Sequence, residues 1–256
     1  VKPPAGRSLL AGKVVVVTAA AGAGIGSAVV TRCLDEGASV VLGDSHKRRL
    51  GESLDRFAEI YPGRVAATLC DVTAEETVQD LFAAAVRRFG RIDVLVNNAG
   101  LGGDQTVTAM TDDEWSRVLD VTLTGTFRCT RAALRQMAAQ GGGGAIVNNA
   151  SVLGWRAQAG QAHYAAAKAG VMAFTRCTAL EAASLGVRVN AVAPSLAAHP
   201  FLDRVIGADE LARLAGREAF GRAAEPWEVA TVVAFLASDY ASYLTGEVIS
   251  VSSQRA

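Results

Sequence analysis

The sequence predicts an α/β fold: a doubly wound parallel sheet of about seven strands with helices on both faces. Three observations carry that expectation. Apolar, β-branched runs alternate with helical stretches along the whole chain. The first run is continuously apolar, as a strand buried on both faces requires. No linker or compositional break divides the chain, so residues 1–256 are expected to form one dinucleotide-binding domain.

The elements follow in order. "KVVVVT" is the first strand, followed by a glycine turn and a helix ending at Gly37. "SVVLGD" is the second strand. An amphipathic helix carrying Leu50, Leu54, Phe57 and Ile60 leads to "RVAATLCD", the third. "VQDLFAAAVRRFG" is helical and precedes the fourth strand, "RIDVLVNNAG". A long helix starts at "TDDEW", where Thr111 can cap and the acids suit the positive end of the helix dipole. "GAIVNNAS" is the fifth strand. The alanine-rich "YAAAKAGVMAFTRCTALEAASLG" is a helix stopped by Gly186. "VRVNAVAP" and "GEVISVSS" supply the sixth and seventh strands. Right-handed crossovers then place helices on both faces. The one long irregular stretch begins at Pro194, and a substrate lid is expected near residues 194–222.

Composition excludes several classes. Formal net charge is zero and pI is near 7.0, so there is no basic footprint for nucleic acid and no electrostatic membrane anchor. The apolar run "VVAFLA" is too short to span a bilayer. "VKPPAGRSLLAGK" lacks the apolar core of a signal peptide and reads as a flexible lead-in. Cys33, Cys70, Cys129 and Cys177 have neither metal-ligand nor redox-motif spacing. No metal site is expected. Reduced, mostly buried thiols point to the cytoplasm.

The turn "TAAAGAGIG" (Thr18 to Gly26) lies where open α/β sheets bind ligands, beyond the carboxyl end of the first strand. Gly22, Gly24 and Gly26 remove side chains where a diphosphate must approach the backbone. The next helix offers free N–H groups and a positive dipole end. The spacing is G-x-G-x-G rather than G-x-G-x-x-G, so a close strand-to-helix packing turn remains an alternative reading. Asp44 ends the second strand, where a carboxylate can accept hydrogen bonds from both ribose hydroxyls of an adenosine. It would repel a 2′-phosphate, which favours NAD. The "SHKRR" that follows, with His46, Lys47 and Arg48, leaves NADP open.

Tyr164 and Lys168 stand four apart on one helix face, and Ser151 lies thirteen residues before Tyr164 at the end of the fifth strand. "NNAG" (Asn97 to Gly100) ends the fourth. All converge on the carboxyl edge of the sheet beside the glycine turn. With these motifs, with "CDVT" at Cys70 and with "VNAVAPS" at Val189, the chain resembles the short-chain dehydrogenase/reductase family from about Leu10 onward. The resemblance implies a Rossmann-like domain, a homotetramer or homodimer, and NAD(P)-dependent oxidation of alcohols or reduction of ketones. It implies cofactor contacts from Ala20, Gly22, Gly24, Ile25, Gly26, Asp44, Asp71, Val72, Asn98, Ala99, Gly100, Tyr164, Lys168 and Ser195, with Asp71 and Val72 at the adenine. The residue chemistry agrees. Hydride transfer to a carbonyl carbon leaves an oxygen needing a proton, and Tyr164 can supply it. The Lys168 ammonium should lower the phenol's pKa and can hold the nicotinamide ribose. Ser151 can donate to the substrate oxygen.

Three departures from the family stand out. Ala19 replaces the first glycine of a turn that is one residue longer than usual. Thr122 stands where the family has an Asn that holds a relay water beside the catalytic lysine. Its hydroxyl is expected to bond back to its own helix. Asn149, on the same strand face as Ser151, is a candidate substitute; alternatively Asn148 and Asn149 satisfy nearby backbone groups. Ser195 and His199 replace a Gly and a cofactor-touching Thr. His199 is expected at the cofactor, at the substrate, or in solvent.

Trp155 is expected either to wall an apolar pocket or to be a partly buried structural side chain, and Phe201 and Leu202 to add apolar surface. Arg204, Arg213, Arg217 and Arg222 are candidates to attract an anionic tail such as a carboxylate or CoA, or they only solvate helix faces. "NNASVLGW", "AEPWEVA" and the closing "GEVISVSSQRA" are similar to family members of sterol-ring and acyl-CoA catabolism. The leading reading is an NAD-dependent dehydrogenase or reductase of a bulky ring or acyl-CoA substrate. The alternatives are an NADP-dependent 3-oxoacyl reductase and a catalytically silent dinucleotide-binding sensor or scaffold.

Overall fold

The structure, a computed structural model, describes residues 2–198 and 208–253. Seven parallel strands form one sheet: β1 (Val14–Thr18), β2 (Ser39–Asp44), β3 (Val65–Leu69), β4 (Val94–Asn97), β5 (Gly144–Asn149), β6 (Val187–Pro194) and β7 (Val248–Val251). Their order is β3-β2-β1-β4-β5-β6-β7. The order reverses between β1 and β4, and that switch point opens a crevice at the carboxyl edge.

The side-chain alternation of buried strands builds two cores. Val15, Val17, Val40, Leu42, Val94, Val96 and Val147 pack on one face with α1 (Ile25–Asp35), α2 (Lys47–Ile60) and α8 (Pro226–Ala237). Val16, Val41, Leu95, Ile146 and Val189 pack on the other face, with α3 (Glu75–Phe89), α5 (Gly125–Gln140) and α6 (Ala162–Ala182). Each such side chain contributes about 1.5–3 kcal/mol on burial. Ile60 departs from the expected core face of α2 and is 60% exposed, because it ends the helix beyond the sheet's edge strand β3.

α4 (Asp112–Leu119) starts with a full capping box. Thr111 accepts from the Glu114 N–H, and the Glu114 carboxylate accepts from the Thr111 N–H. A π-helical turn, Asp120–Thr124, joins α4 to α5. α6 closes through a 3₁₀ turn on Gly186, whose φ of 68° is the left-handed C-cap expected. α7 (Ala208–Ala215) lies in the expected lid stretch. Its neighbour, the segment around Ala197, bridges to Ala224. Cys33, Cys70 and Cys129 are buried and Cys177 is exposed; all are free thiols. Among the described residues, no helix is long and apolar enough to cross a membrane, and no cluster could hold a metal.

Candidate active site

The glycine turn is locked to the neighbouring strand end. Thr18 Oγ1 accepts from the N–H groups of Asn98 and Ala99, both at 3.0 Å. Asn98 Nδ2 donates to the carbonyls of Thr18 (3.2 Å) and Ala19 (3.0 Å). Ala19 sits at φ 48°, the left-handed region that the family's glycine adopts freely. A Cβ at Gly26 would collide with the Ala19 carbonyl oxygen and lie 2.6 Å from Asn98 Nδ2. Gly26 therefore answers to close packing. Beyond Gly24 lies open space, and no side chain caps α1, so its first N–H groups stand free for an anion.

Asp44 is buried at the end of β2. One carboxylate oxygen accepts from the Ala21 N–H (3.0 Å), the other from the His46 N–H (2.9 Å). The carboxylate thus faces the turn at a fixed place and keeps lone pairs on both oxygens. Arg48 does not face it freely: it pairs with Glu52 at 2.8 Å. Asp71 accepts from the backbone and hydroxyl of Thr73, and Val72 is buried beside it. The open turn, the uncapped helix and this carboxylate fit a dinucleotide.

Ser151 follows β5 and caps a 3₁₀ turn, Val152–Gly154, by accepting from the Leu153 N–H at 3.2 Å. Tyr164 lies in the first turn of α6, half-buried, and hydrogen-bonds Ser151. Lys168, one turn on, is buried with Nζ 5.5 Å from the Tyr164 ring centroid. Its ammonium donates to the main-chain oxygen of Asn149 at 2.5 Å. A Cβ at Gly100 would stand 3.3 Å from that Nζ, so the "NNAG" glycine gives the ammonium room.

Burial pushes the Tyr164 phenol above its ordinary value, and the Ser151 hydrogen bond opposes this. Burial pulls Lys168 down to about 8. The expected lowering of the phenol by Lys168 is therefore not what this arrangement produces. Desolvation raises the phenol, and what opposes it is the Ser151 hydrogen bond.

Thr122 also differs from expectation. Its hydroxyl does not bond back to its own helix. It donates to the Leu101 carbonyl (3.2 Å) and accepts from the Leu101 N–H (3.0 Å), pinning the loop after β4 to the π-helical turn. Nor do the two asparagines satisfy backbone groups. Asn148 bridges Asn97 and Thr175, and Asn149 Nδ2 donates to Asn98 Oδ1 at 3.0 Å.

A cavity of about 760 Å³ opens above this edge, lined by Ile25, Asn149, Ser151, Tyr164, Ser195 and the segment around Leu214 to Glu218. Ser195 is in its wall, tied to β7 through a 3.1 Å bond from its N–H to the Val251 carbonyl. Trp155 is not in the lining and is 52% exposed. Gly154, just before it, lies so close to Met172 of α6 that a Cβ there would stand 2.6 Å from the Met172 methyl. Arg222 is not a free cation: it forms two 2.7 Å bonds to Glu228. His199, Phe201, Leu202 and Arg204 lie outside the described residues. Sequence reasoning missed Arg156 and Glu218 in the cavity wall, and missed the Thr18 hydroxyl. A hydroxyl at a strand end beside "NNAG" was the available signal for the last.

A parallel sheet with a dinucleotide crevice and a Ser–Tyr–Lys edge defines a nicotinamide-dependent oxidoreductase of alcohols and ketones, and the chain belongs to the short-chain dehydrogenase/reductase family. A family model described as "Enoyl-(Acyl carrier protein) reductase" matches residues 19–253. The (5R,7aS)-5-hydroxy-7a-methyl-1-oxo-2,3,5,6,7,7a-hexahydro-1H-indene-carboxyl-CoA reductase of Mycobacterium tuberculosis is 65% identical, over 99% of this chain and 97% of that protein. The cis-4-hydroxycyclohexanecarboxylate dehydrogenase of Sinomonas cyclohexanicum is 42% identical, over 93% and 94%. The crystal structure of a short chain dehydrogenase from Mycobacterium smegmatis superposes with a TM-score of 0.89 at 60% identity, covering 100% of this chain and 98% of that one.

Proposed function

We propose that this enzyme reduces a ketone on a bulky ring carried as an acyl-CoA thioester, with NAD(H) as its preferred cofactor. The observation that carries the reading is the meeting of Ser151 and Tyr164 in the wall of one roomy cavity, with Lys168 behind them. The likeness to the indene-carboxyl-CoA reductase supplies the substrate class.

A nicotinamide cofactor, when bound, supplies the hydride. The protein's residues do the rest. Ser151 Oγ accepts from the Leu153 N–H and shares a hydrogen bond with Tyr164, so the two hydroxyls are placed to meet one substrate carbonyl oxygen. Tyr164 is held protonated near neutrality, so it serves as an acid toward an oxygen that gains negative charge. Lys168 has two N–H groups beyond the one on Asn149, and these suit the nicotinamide ribose. Gly22, Gly24, Ile25 and Gly26 would receive the diphosphate, and Asp44, Asp71 and Val72 the adenosine. Asn98, Ala99 and Gly100 would border the ribose, with Ala20 and Ser195 at either end of the crevice. The Asp44 carboxylate, fixed by two backbone donors, repels a 2′-phosphate and so favours NAD over NADP. That same charge weighs against the 3-oxoacyl reductase alternative. We also infer a homodimer or homotetramer, argued below from the helices.

The test is reduction of ring-ketone CoA thioesters with NADH and NADPH by wild type and Tyr164→Phe. We expect NADH to be preferred, and the mutant to lose about 10²–10⁴ in turnover while binding NADH as before. A mutant that turns over normally sinks the role of Tyr164. A preference for NADPH with linear 3-oxoacyl substrates favours the alternative.

A further inference from the structure

We propose that Arg156 and Arg217, exposed in the cavity wall, form an anion subsite which takes the phosphates of a CoA carrier. The proposal rests on the reading that the cavity receives an acyl-CoA ketone.

Three charged side chains line the cavity among the described residues: Arg156, Arg217 and Glu218. Arg156 follows the 3₁₀ turn next to Ser151, and Arg217 follows α7. The two guanidiniums therefore come from separate elements and are both exposed. Among the described residues neither has a carboxylate partner, whereas Arg48, Arg91, Arg128, Arg131 and Arg222 each pair with an acid. A paired guanidinium has its fork filled; one without an acid, exposed in a cavity wall, is free for a phosphate.

Glu218 sets the direction of the charge. It is 2% exposed, and one oxygen accepts from the N–H and the hydroxyl of Ser253. The other is sealed from solvent without a partner. The Glu218 carboxylate disfavours an anion against its own part of the wall, and the two exposed arginines favour one beside them. Size agrees with this polarity. The cavity of about 760 Å³ has Ile25 and Ser195 in its wall as well as Ser151 and Tyr164, so a nicotinamide would share it and leave room for a ring rather than an extended carrier. With the ketone at Ser151 and Tyr164, the carrier must extend out of the cavity.

The test uses the enzyme saturated with NAD and coenzyme A as the probe, followed by calorimetry. Arg156→Ala and Arg217→Ala should each weaken CoA binding about fivefold or more, and added salt should weaken the wild type. In turnover, KM for a ring-ketone CoA thioester should rise with kcat unchanged, while KM for the matching N-acetylcysteamine thioester, which has no phosphate, stays constant. CoA binding indifferent to both substitutions overturns the subsite. So does an equal rise in KM for the neutral thioester. If the variants weaken a free ring carboxylate but not CoA, the phosphate assignment is overturned. If no ring ketone is reduced yet CoA binding falls in both variants, the activity reading fails and the subsite stands.

Discussion

An ammonium has three protons, and Lys168 places one of them on the main-chain oxygen of Asn149. The same asparagine reaches sideways to Asn98, and its orientation is fixed by neighbours. Asn98 Nδ2 already serves two carbonyls of the glycine turn, so Asn98 presents its oxygen and Asn149 must donate. Asn149 thereby ties the lysine's anchor to the glycine turn, as a positioning residue. Asn149→Ala should lower kcat about tenfold and move the basic limb of its pH profile downward, because a slacker carbonyl supports the ammonium less well. A wild-type rate with an unmoved pH profile would remove that role. Ser151, Tyr164 and Lys168 were legible in the sequence because regular elements fix which residues share a face. The partner of Thr122 was not, since its hydroxyl meets a loop that only the fold brings near. The place of Trp155, outside the cavity lining and half in solvent, was open in the sequence because it lies on a loop with no fixed periodicity.

The strands were legible from their apolar runs, but their ends were not. "RIDVLVNNAG" yields four residues of strand, Val94–Asn97, because the ladder stops where β1 and β5 stop pairing. The π-helical turn between α4 and α5 has no sequence signal that could have announced it. Exposed apolar side chains remain on these helices after folding. Phe127 of α5 is 40% exposed and meets Phe174 of α6 edge-on at 6.3 Å; Leu180 of α6 is 81% exposed and Trp115 of α4 is 40% exposed. Such a set suits the face of a partner subunit. Light scattering should give a mass of two or four 26.5 kDa chains. The pair Phe127→Asp and Leu180→Asp should move it toward one. A wild-type monomer would dismiss the assembly.

At the scale of the whole molecule, one group sets function against stability. Lys168 is 3% exposed, and burial lowers its pKa from 10.5 to about 8. Below pH 8 the folded chain must hold a buried ammonium that the unfolded chain would hydrate. Between pH 8 and 10.5 the folded form has released that proton while the unfolded form still binds it, so the penalty fades as pH rises. Lys168→Met should therefore stabilise the fold by on the order of 2 kcal/mol at pH 7 and by much less at pH 10.5, while turnover is lost. Equal denaturant midpoints for mutant and wild type at pH 7 would contradict this. The seven-stranded plan and its switch point could be foreseen whole. The wiring of the chain's last described residues into the cavity wall could not, because it depends on one carboxylate meeting a distant serine.

That wiring has a practical side. The backbone carbonyl of Ser253 also receives the Ala219 N–H, so the stretch beyond β7 grips the segment that carries Glu218 from two directions. Trimming the polypeptide after Val251 would strip the carboxylate of both its donors and leave a bare anion inside the protein. The stretch after β7 is thus a rivet of the cavity wall.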